Sequence, residues 1–244
     1  MDSLRFEQAF TGEHLFYLAA CRGNAELFKR VLENPENRIC LKDTMAGHDG
    51  LSAAIFQGND EIVKAFVSLP LSEFDFRHNP MESSGAFSYL NAAAVHERPV
   101  IFKILADTGH FDIAKRDARG WTPLFYAAVA GSPTIVEMLL REENIKTDEK
   151  DNEGRTPLSH AAEHGHKEIF HMFLRLDAVK PDSQDLKGNT PYYYAVRYGH
   201  GDIVQALIDT GRVNRDVEGK ALEARQDDLK SGPRLQIHVE EVPF

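Results

Sequence analysis

The string His160-Ala161-Ala162-Glu163-His164 is the sharpest chemical signal in this chain. Histidines four residues apart share one helix face. At that spacing two imidazoles can hold a zinc ion, and the carboxylate between them can act as a general base. Written H-x-x-E-H, the string matches a zinc-hydrolase pattern. Such a site also needs a third ligand nearby. Other catalytic patterns are absent: there is no G-x-S-x-G elbow, no P-loop and no dinucleotide fingerprint. Cys21 and Cys40 have no histidine in obvious register and read as plain thiols.

The elements that must position these residues emerge from self-similarity. Three stretches align without gaps: Asp117-Ala118-Arg119-Gly120-Trp121-Thr122-Pro123-Leu124, Asp151-Asn152-Glu153-Gly154-Arg155-Thr156-Pro157-Leu158 and Asp185-Leu186-Lys187-Gly188-Asn189-Thr190-Pro191-Tyr192. A small pair follows each one: Ala127-Ala128, Ala161-Ala162 and Ala195-Val196. Then come Gly131, Gly165 or Gly199, and an apolar pair four residues on. Looser copies carry Ala19-Ala20, Ala53-Ala54 and Ala93-Ala94. The first Ala of each pair falls at 19, 53, 93, 127, 161 and 195, in steps of 34, 40, 34, 34 and 34. The longer step reads as one period with a six-residue insertion near Phe76–Gly85, a Pro/Ser/Gly-bearing loop. Three copies depart from the pattern: the first lacks the finger and reads as the N-terminal cap, the second has His48-Asp49-Gly50 where Thr-Pro-Leu is expected, and the third has Ser88-Tyr89-Leu90 there and Glu97 in place of a turn Gly.

Each slot has a physical reason. Thr before Pro supplies an N-cap hydroxyl and a preset φ at the first helical position. Leu124 and Leu158 face inward, and the Ala pair lets helices approach closely. The Gly suits the left-handed residue that ends a helix. Ser132-Pro133 starts a second helix whose Ile135, Val136, Leu139 and Leu140 form an apolar stripe. The recurring Asp117, Asp151 and Asp185 read as turn residues bonding nearby backbone N–H groups. His160 and His164 fall where neighbouring copies have Tyr126/Ala130 and Tyr194/Tyr198, so variation there is ordinary. The H-x-x-E-H string therefore reads as a coincidence of repeat register, with no metal, no cofactor and no catalytic residue expected.

This unit resembles the ankyrin repeat, strongly from Asp117 to about Ile208 and more loosely upstream. The resemblance implies an all-α solenoid of about six stacked helix-turn-helix repeats with projecting β-turn fingers. The repeats fall near 12–42, 43–75, 82–116, 117–150, 151–184 and 185–216, with a C-terminal cap at 217–230. Together they form a single domain over 1–230, followed by a tail at 231–244. Leu4, Phe6 and Phe10 are placed to cover the first open face.

Composition narrows the function. Apolar residues make up 42% of 244, the ordinary share for a globular chain and too many for a disordered one. No run approaches the roughly 18 apolar residues that span a bilayer. The start, Met1-Asp2-Ser3-Leu4-Arg5, lacks the pattern of a signal peptide. Two cysteines suit a reducing compartment. The expected location is cytoplasmic or nuclear. A net charge of −10 argues against nucleic acid and anionic membrane as partners.

Positions that the repeat does not need report partner choice. At the tips these are Arg116, Arg119, Trp121, Lys150, Asn152, Glu153, Arg155, Lys187 and Asn189; five of the nine are basic in an acidic protein. Beside them, the first helices carry Tyr126, His160, His164, Tyr194, Arg197 and Tyr198, and aromatic and Arg enrichment marks interface cores. The leading expectation is a non-enzymatic protein–protein interaction module (adaptor, scaffold or inhibitor) that binds a partner segment of acidic or mixed charge. Its rival is a small-molecule binder or enzyme using a His/Tyr/Arg pocket on the concave face.

Overall fold

The structure, a computed structural model, describes residues 15–34, 37, 41, 49–72, 88–211, 213 and 216–231. Leu4, Phe6, Phe10, Cys40, His48, the insertion at Phe76–Gly85 and the tail beyond Ser231 lie outside the described residues. Among the described residues there are thirteen helices and no strand. The chain divides into two compact units, residues 1–112 and 113–244.

The first unit holds three helix pairs: α1 (Leu15–Cys21) with α2 (Ala25–Glu33), α3 (Gly50–Gln57) with α4 (Asp60–Val67), and α5 (Tyr89–Val95) with α6 (Pro99–Asp107). First helices pack on first helices and second on second, α1 on α3 on α5 and α2 on α4 on α6. The Phe16, Phe28 and Phe66 rings fill the core, with centroids 5.2 and 4.8 Å apart in sequence. Where Thr-Pro-Leu is missing, Asp49 takes over the cap. One oxygen accepts the Ser52 N–H at 2.8 Å and the other accepts the Tyr89 hydroxyl. Glu97 adopts the left-handed conformation its Gly counterparts use, at φ 53°, and is the one described non-glycine residue to do so.

The second unit continues the pairing with α7 (Pro123–Ala130) and α8 (Pro133–Leu140), α9 (Pro157–His164) and α10 (Lys167–Leu174), and α11 (Pro191–Tyr198) and α12 (Gly201–Asp209); α13 (Glu218–Ser231) follows. The first helices α7, α9 and α11 stack in a row, and α13 packs on α11 with Ala221 buried. The Ala127-Ala128 and Ala161-Ala162 pairs are fully buried, which is what lets the row close up. Each stripe on the second helices buries its apolar residues (Ile135, Val136 and Leu139; Ile169, Phe170 and Phe173; Ile203 and Leu207). Each such side chain contributes about 1.5–3 kcal/mol. Leu140, expected in the first stripe, is only half-buried.

The caps follow the sequence in part. Thr156 and Thr190 accept the Ser159 and Tyr193 N–H groups. Thr122 and Ser132 make no side-chain cap bond, so there the preset φ of the following Pro opens the helix. Gly131 ends α7 at φ 84°. A Cβ there would also lie 2.5 Å from the His166 ring. That ring is close because His166 Nε2 donates to the Val129 carbonyl at 2.8 Å, and His200 does the same to Glu163 at 2.9 Å. Each histidine pins the start of its helix pair's second member to the preceding repeat.

Candidate functional site

The three fingers of the second unit share one construction. The Asp N–H donates to the carbonyl four residues on, as Asp117 to Trp121 at 2.9 Å, and the finger Gly N–H returns to the Asp carbonyl. One carboxylate oxygen accepts two further backbone N–H groups: Arg119 and Trp121 on Asp117, Glu153 and Arg155 on Asp151, Lys187 and Asn189 on Asp185, all at 2.7–2.9 Å. The turn role expected of these aspartates thus has a direct geometric basis. The second oxygen does something the sequence reading missed. It takes the side chain nine residues on, at the base of the next helix: Tyr126 at 2.5 Å, His160 at 2.9 Å and Tyr194 at 2.5 Å. The signal was available as a recurring Asp-to-Tyr/His interval of nine.

Neighbouring fingers are then laced together one repeat apart. Asn152 donates its backbone N–H to Arg119 and its amide to Ala118, at 3.0 and 2.8 Å. The Leu186 N–H reaches the Glu153 carbonyl at 2.9 Å. Arg116 donates to the Lys150 carbonyl at 2.8 Å and pairs with Glu149 at 3.0 Å; Lys150 donates to Gln184 at 2.7 Å. Asn189 is buried, bonded to Asp185 and to Lys220. Arg116, Lys150, Asn152 and Asn189 therefore lace the ridge together, Asn189 buried and the other three at its surface.

Trp121 corrects an expectation. It is no free tip: its indole N–H donates to Asp151 at 3.1 Å, and its ring lies on Phe125, Tyr126 and His160 at centroid distances of 6.2, 5.1 and 4.8 Å. The apolar bulk that makes Trp attractive at an interface is here better satisfied by wedging between two repeats. Arg155 is likewise drawn in. Its guanidinium lies 2.8 Å from Glu163, 3.3 Å from Glu153 and over the Tyr194 ring. Exposed on the ridge beside these lacing residues are Arg119, Glu153, Lys187 and, unanticipated, Leu186, which is 79% exposed. Beside them Arg197 lies over the 44%-exposed Tyr198 ring and donates to the Tyr193 hydroxyl.

His160 and Tyr194, placed by the rival reading on a pocket wall, are buried. Burial depresses the His160 pKa below its ordinary value, against the opposing pull of Asp151. Burial also disfavours ionised Asp151, but the bonds from His160 and the Arg155 N–H outweigh it and hold the carboxyl low. Tyr126 and Tyr194 are pushed up, first by burial and then by the carboxylate each one bonds. The chemistry of this set is that of neutral donors locked onto carboxylates, a framework that fixes finger to helix.

With this geometry in place, comparison with known proteins identifies the class. The family model of ankyrin repeats, in a form spanning three copies, matches residues 76–151 and 143–217, more than half of the chain. The chain belongs to the ankyrin repeat family. No curated protein matches it. Among solved structures it is similar to the ankyrin repeat domain of Bcl-3, described as a unique member of the IkappaB protein family. The TM-score is 0.64 at 21% identity, over 83% of this chain and 88% of that one. At that identity the likeness shows the fold alone. Among the described residues no helix is long and apolar enough to cross a membrane.

Proposed function

We propose that the chain is a non-enzymatic interaction module that binds a protein partner through the finger ridge of its second unit. The observation that carries this reading is the division of labour among the finger residues. Arg116, Lys150 and Asn152, though exposed, are spent on bonds to backbone carbonyls one repeat apart, while Arg119, Glu153, Leu186 and Lys187 face outward on a backbone that those bonds hold still. A ridge ordered before binding loses little entropy on association. Outside those bonds, its exposed chemistry is two cations, one anion and one apolar side chain. That set suits an extended partner segment with acidic residues flanking an apolar one. The role is that of an adaptor, scaffold or inhibitor.

The test is charge reversal at the two outward cations. Arg119→Glu with Lys187→Glu is expected to weaken partner capture from native extract at least tenfold, with the thermal midpoint unchanged. Capture should also weaken as salt rises. Undiminished capture by the double variant sinks the proposal.

A further inference from the structure

The H-x-x-E-H string reads as a coincidence of repeat register, yet in the folded chain its three polar side chains converge. Each of His160, Glu163 and His164 places one ligand atom within 4.8 Å of the other two, and His160 Nδ1 lies 3.8 Å from Glu163 Oε2.

The protonation states are set by what lies behind the rings. His160 Nε2 faces a carboxylate oxygen of Asp151 at 2.9 Å, and an oxygen there can only accept, so Nε2 carries the proton. Nδ1 is then the lone-pair nitrogen. It is buried in a side chain 1% exposed, with no hydrogen-bond partner, and it points toward Glu163. His164 Nδ1 faces the His160 carbonyl at 3.0 Å and must likewise donate, leaving Nε2 as its lone pair. A carboxylate or carbonyl behind each imidazole is the outer-shell arrangement that orients histidines for a metal. Trp121 and Phe125 pack edge-on against the His160 ring, at 4.8 and 5.7 Å, and fix its plane.

From this geometry we infer that His160, Glu163 and His164 form a binding site for a divalent late transition ion such as Zn2+, with solvent completing the coordination. Bonds of about 2.0–2.2 Å in a tetrahedral shell put ligand atoms about 3.3 Å apart. Glu163 and the His164 Nε2 must therefore draw toward the fixed His160 ring by side-chain rotation. The competing cation is Arg155, which already holds Glu163 Oε2 at 2.8 Å. When an ion takes that carboxylate, Arg155 keeps Glu153 and Asp151 as partners, at 3.3 and 3.8 Å. With every donor on one helix turn and its first ring buried, the site is assigned to binding and not to hydrolysis.

The experiment is a titration of the chelator-stripped full chain with Co2+, followed by displacement with Zn2+. One equivalent of Co2+ is expected to give a visible ligand-field band that one equivalent of Zn2+ abolishes. His164→Ala and the isosteric Glu163→Gln should each weaken binding at least tenfold. Circular dichroism of the metal-free variants should show unchanged helix content. Absence of a saturable band overturns the inference. So does a band of undiminished affinity in the folded His164→Ala variant, because the ion would then sit on other histidines.

Discussion

His160 Nε2 lies 2.9 Å from Asp151 Oδ2, in the place where Tyr126 meets Asp117 and Tyr194 meets Asp185. The bond is common to three repeats, but only the middle one uses an imidazole, a group whose ordinary pKa lies near neutrality. Burial depresses the folded His160 pKa, while the unfolded value stays near 6.5. Below that value the unfolded chain binds the extra proton and the folded chain resists it. Stability is therefore full above about pH 6.5, declines as pH falls, and levels off once the lower folded pKa is passed. The charged groups facing this imidazole are Asp151, Glu163 and Arg155, and their pulls are included in that direction. His160→Tyr restores the donor used by the neighbouring repeats and removes the titration. Denaturant unfolding at a series of pH values should show a flatter stability profile between about pH 5 and 7 in the variant. An identical slope in both proteins would place the proton uptake elsewhere.

Asp151 and Asp185 act at lower pH with the same sign. Their folded pKa values are held below 3.8 by His160 and Tyr194 respectively, together with backbone N–H groups, despite opposing burial. Their contribution is present above the unfolded value and lost as pH falls through the folded one. Asp185→Asn should reduce the acid sensitivity of unfolding below about pH 4 while lowering stability at pH 7 by about 1–2 kcal/mol, because a charge-assisted acceptor is lost.

Trp121 and Arg119 separate structure from binding. Trp121→Ala removes a half-buried ring and its bond to Asp151, and should cost about 2–3 kcal/mol. Arg119→Ala removes an exposed side chain and should change stability by less than about 0.5 kcal/mol. Thermal unfolding of the two variants checks the pair. Equal midpoints would mean that the indole is not wedged as described.

The repeat, the helix pairs and the turn aspartates were legible in the sequence because each rests on local chemistry: a cap, a preset φ, a 34-residue interval. The fate of the tips was not. Trp121 and Arg155 read as projecting because tip positions tolerate polar residues, yet each finds partners one repeat away, in Asp151 and His160 or on the Tyr194 ring. Such contacts depend on how far a side chain reaches between adjacent units, and a single repeat does not reveal that. Leu186 went unremarked for the opposite reason. An apolar residue in a helical protein reads as core until the backbone bond to Glu153 turns its side chain outward. The third partner of the two histidines was in plain sight within the same five-residue string, but only the bond from His160 to Asp151 shows which nitrogen remains to face it.

Glu97 stands where the other repeats have Gly, and it accepts the left-handed conformation at φ 53°. For a residue with a Cβ that conformation costs roughly 1–2 kcal/mol. Gly relieves the strain and returns part of the gain as unfolded-state entropy. Glu97→Gly should therefore stabilise the first unit by about 0.5–1 kcal/mol, read as a shift in denaturant midpoint at constant slope.

The reverse substitution at Gly131 meets two obstacles, and they can be measured apart. Gly131→Ala imposes the same left-handed strain at φ 84°, and it places a methyl 2.5 Å from the His166 ring. Strain alone should cost about 1–2 kcal/mol, and the clash should add to it. His166→Ala alone loses the bond to the Val129 carbonyl, about 1 kcal/mol. In the double variant the methyl has room, so its total cost should fall short of the sum of the singles by about 1 kcal/mol or more. Strictly additive costs would show that the histidine moves aside freely, and that backbone hand alone dictates glycine at this turn.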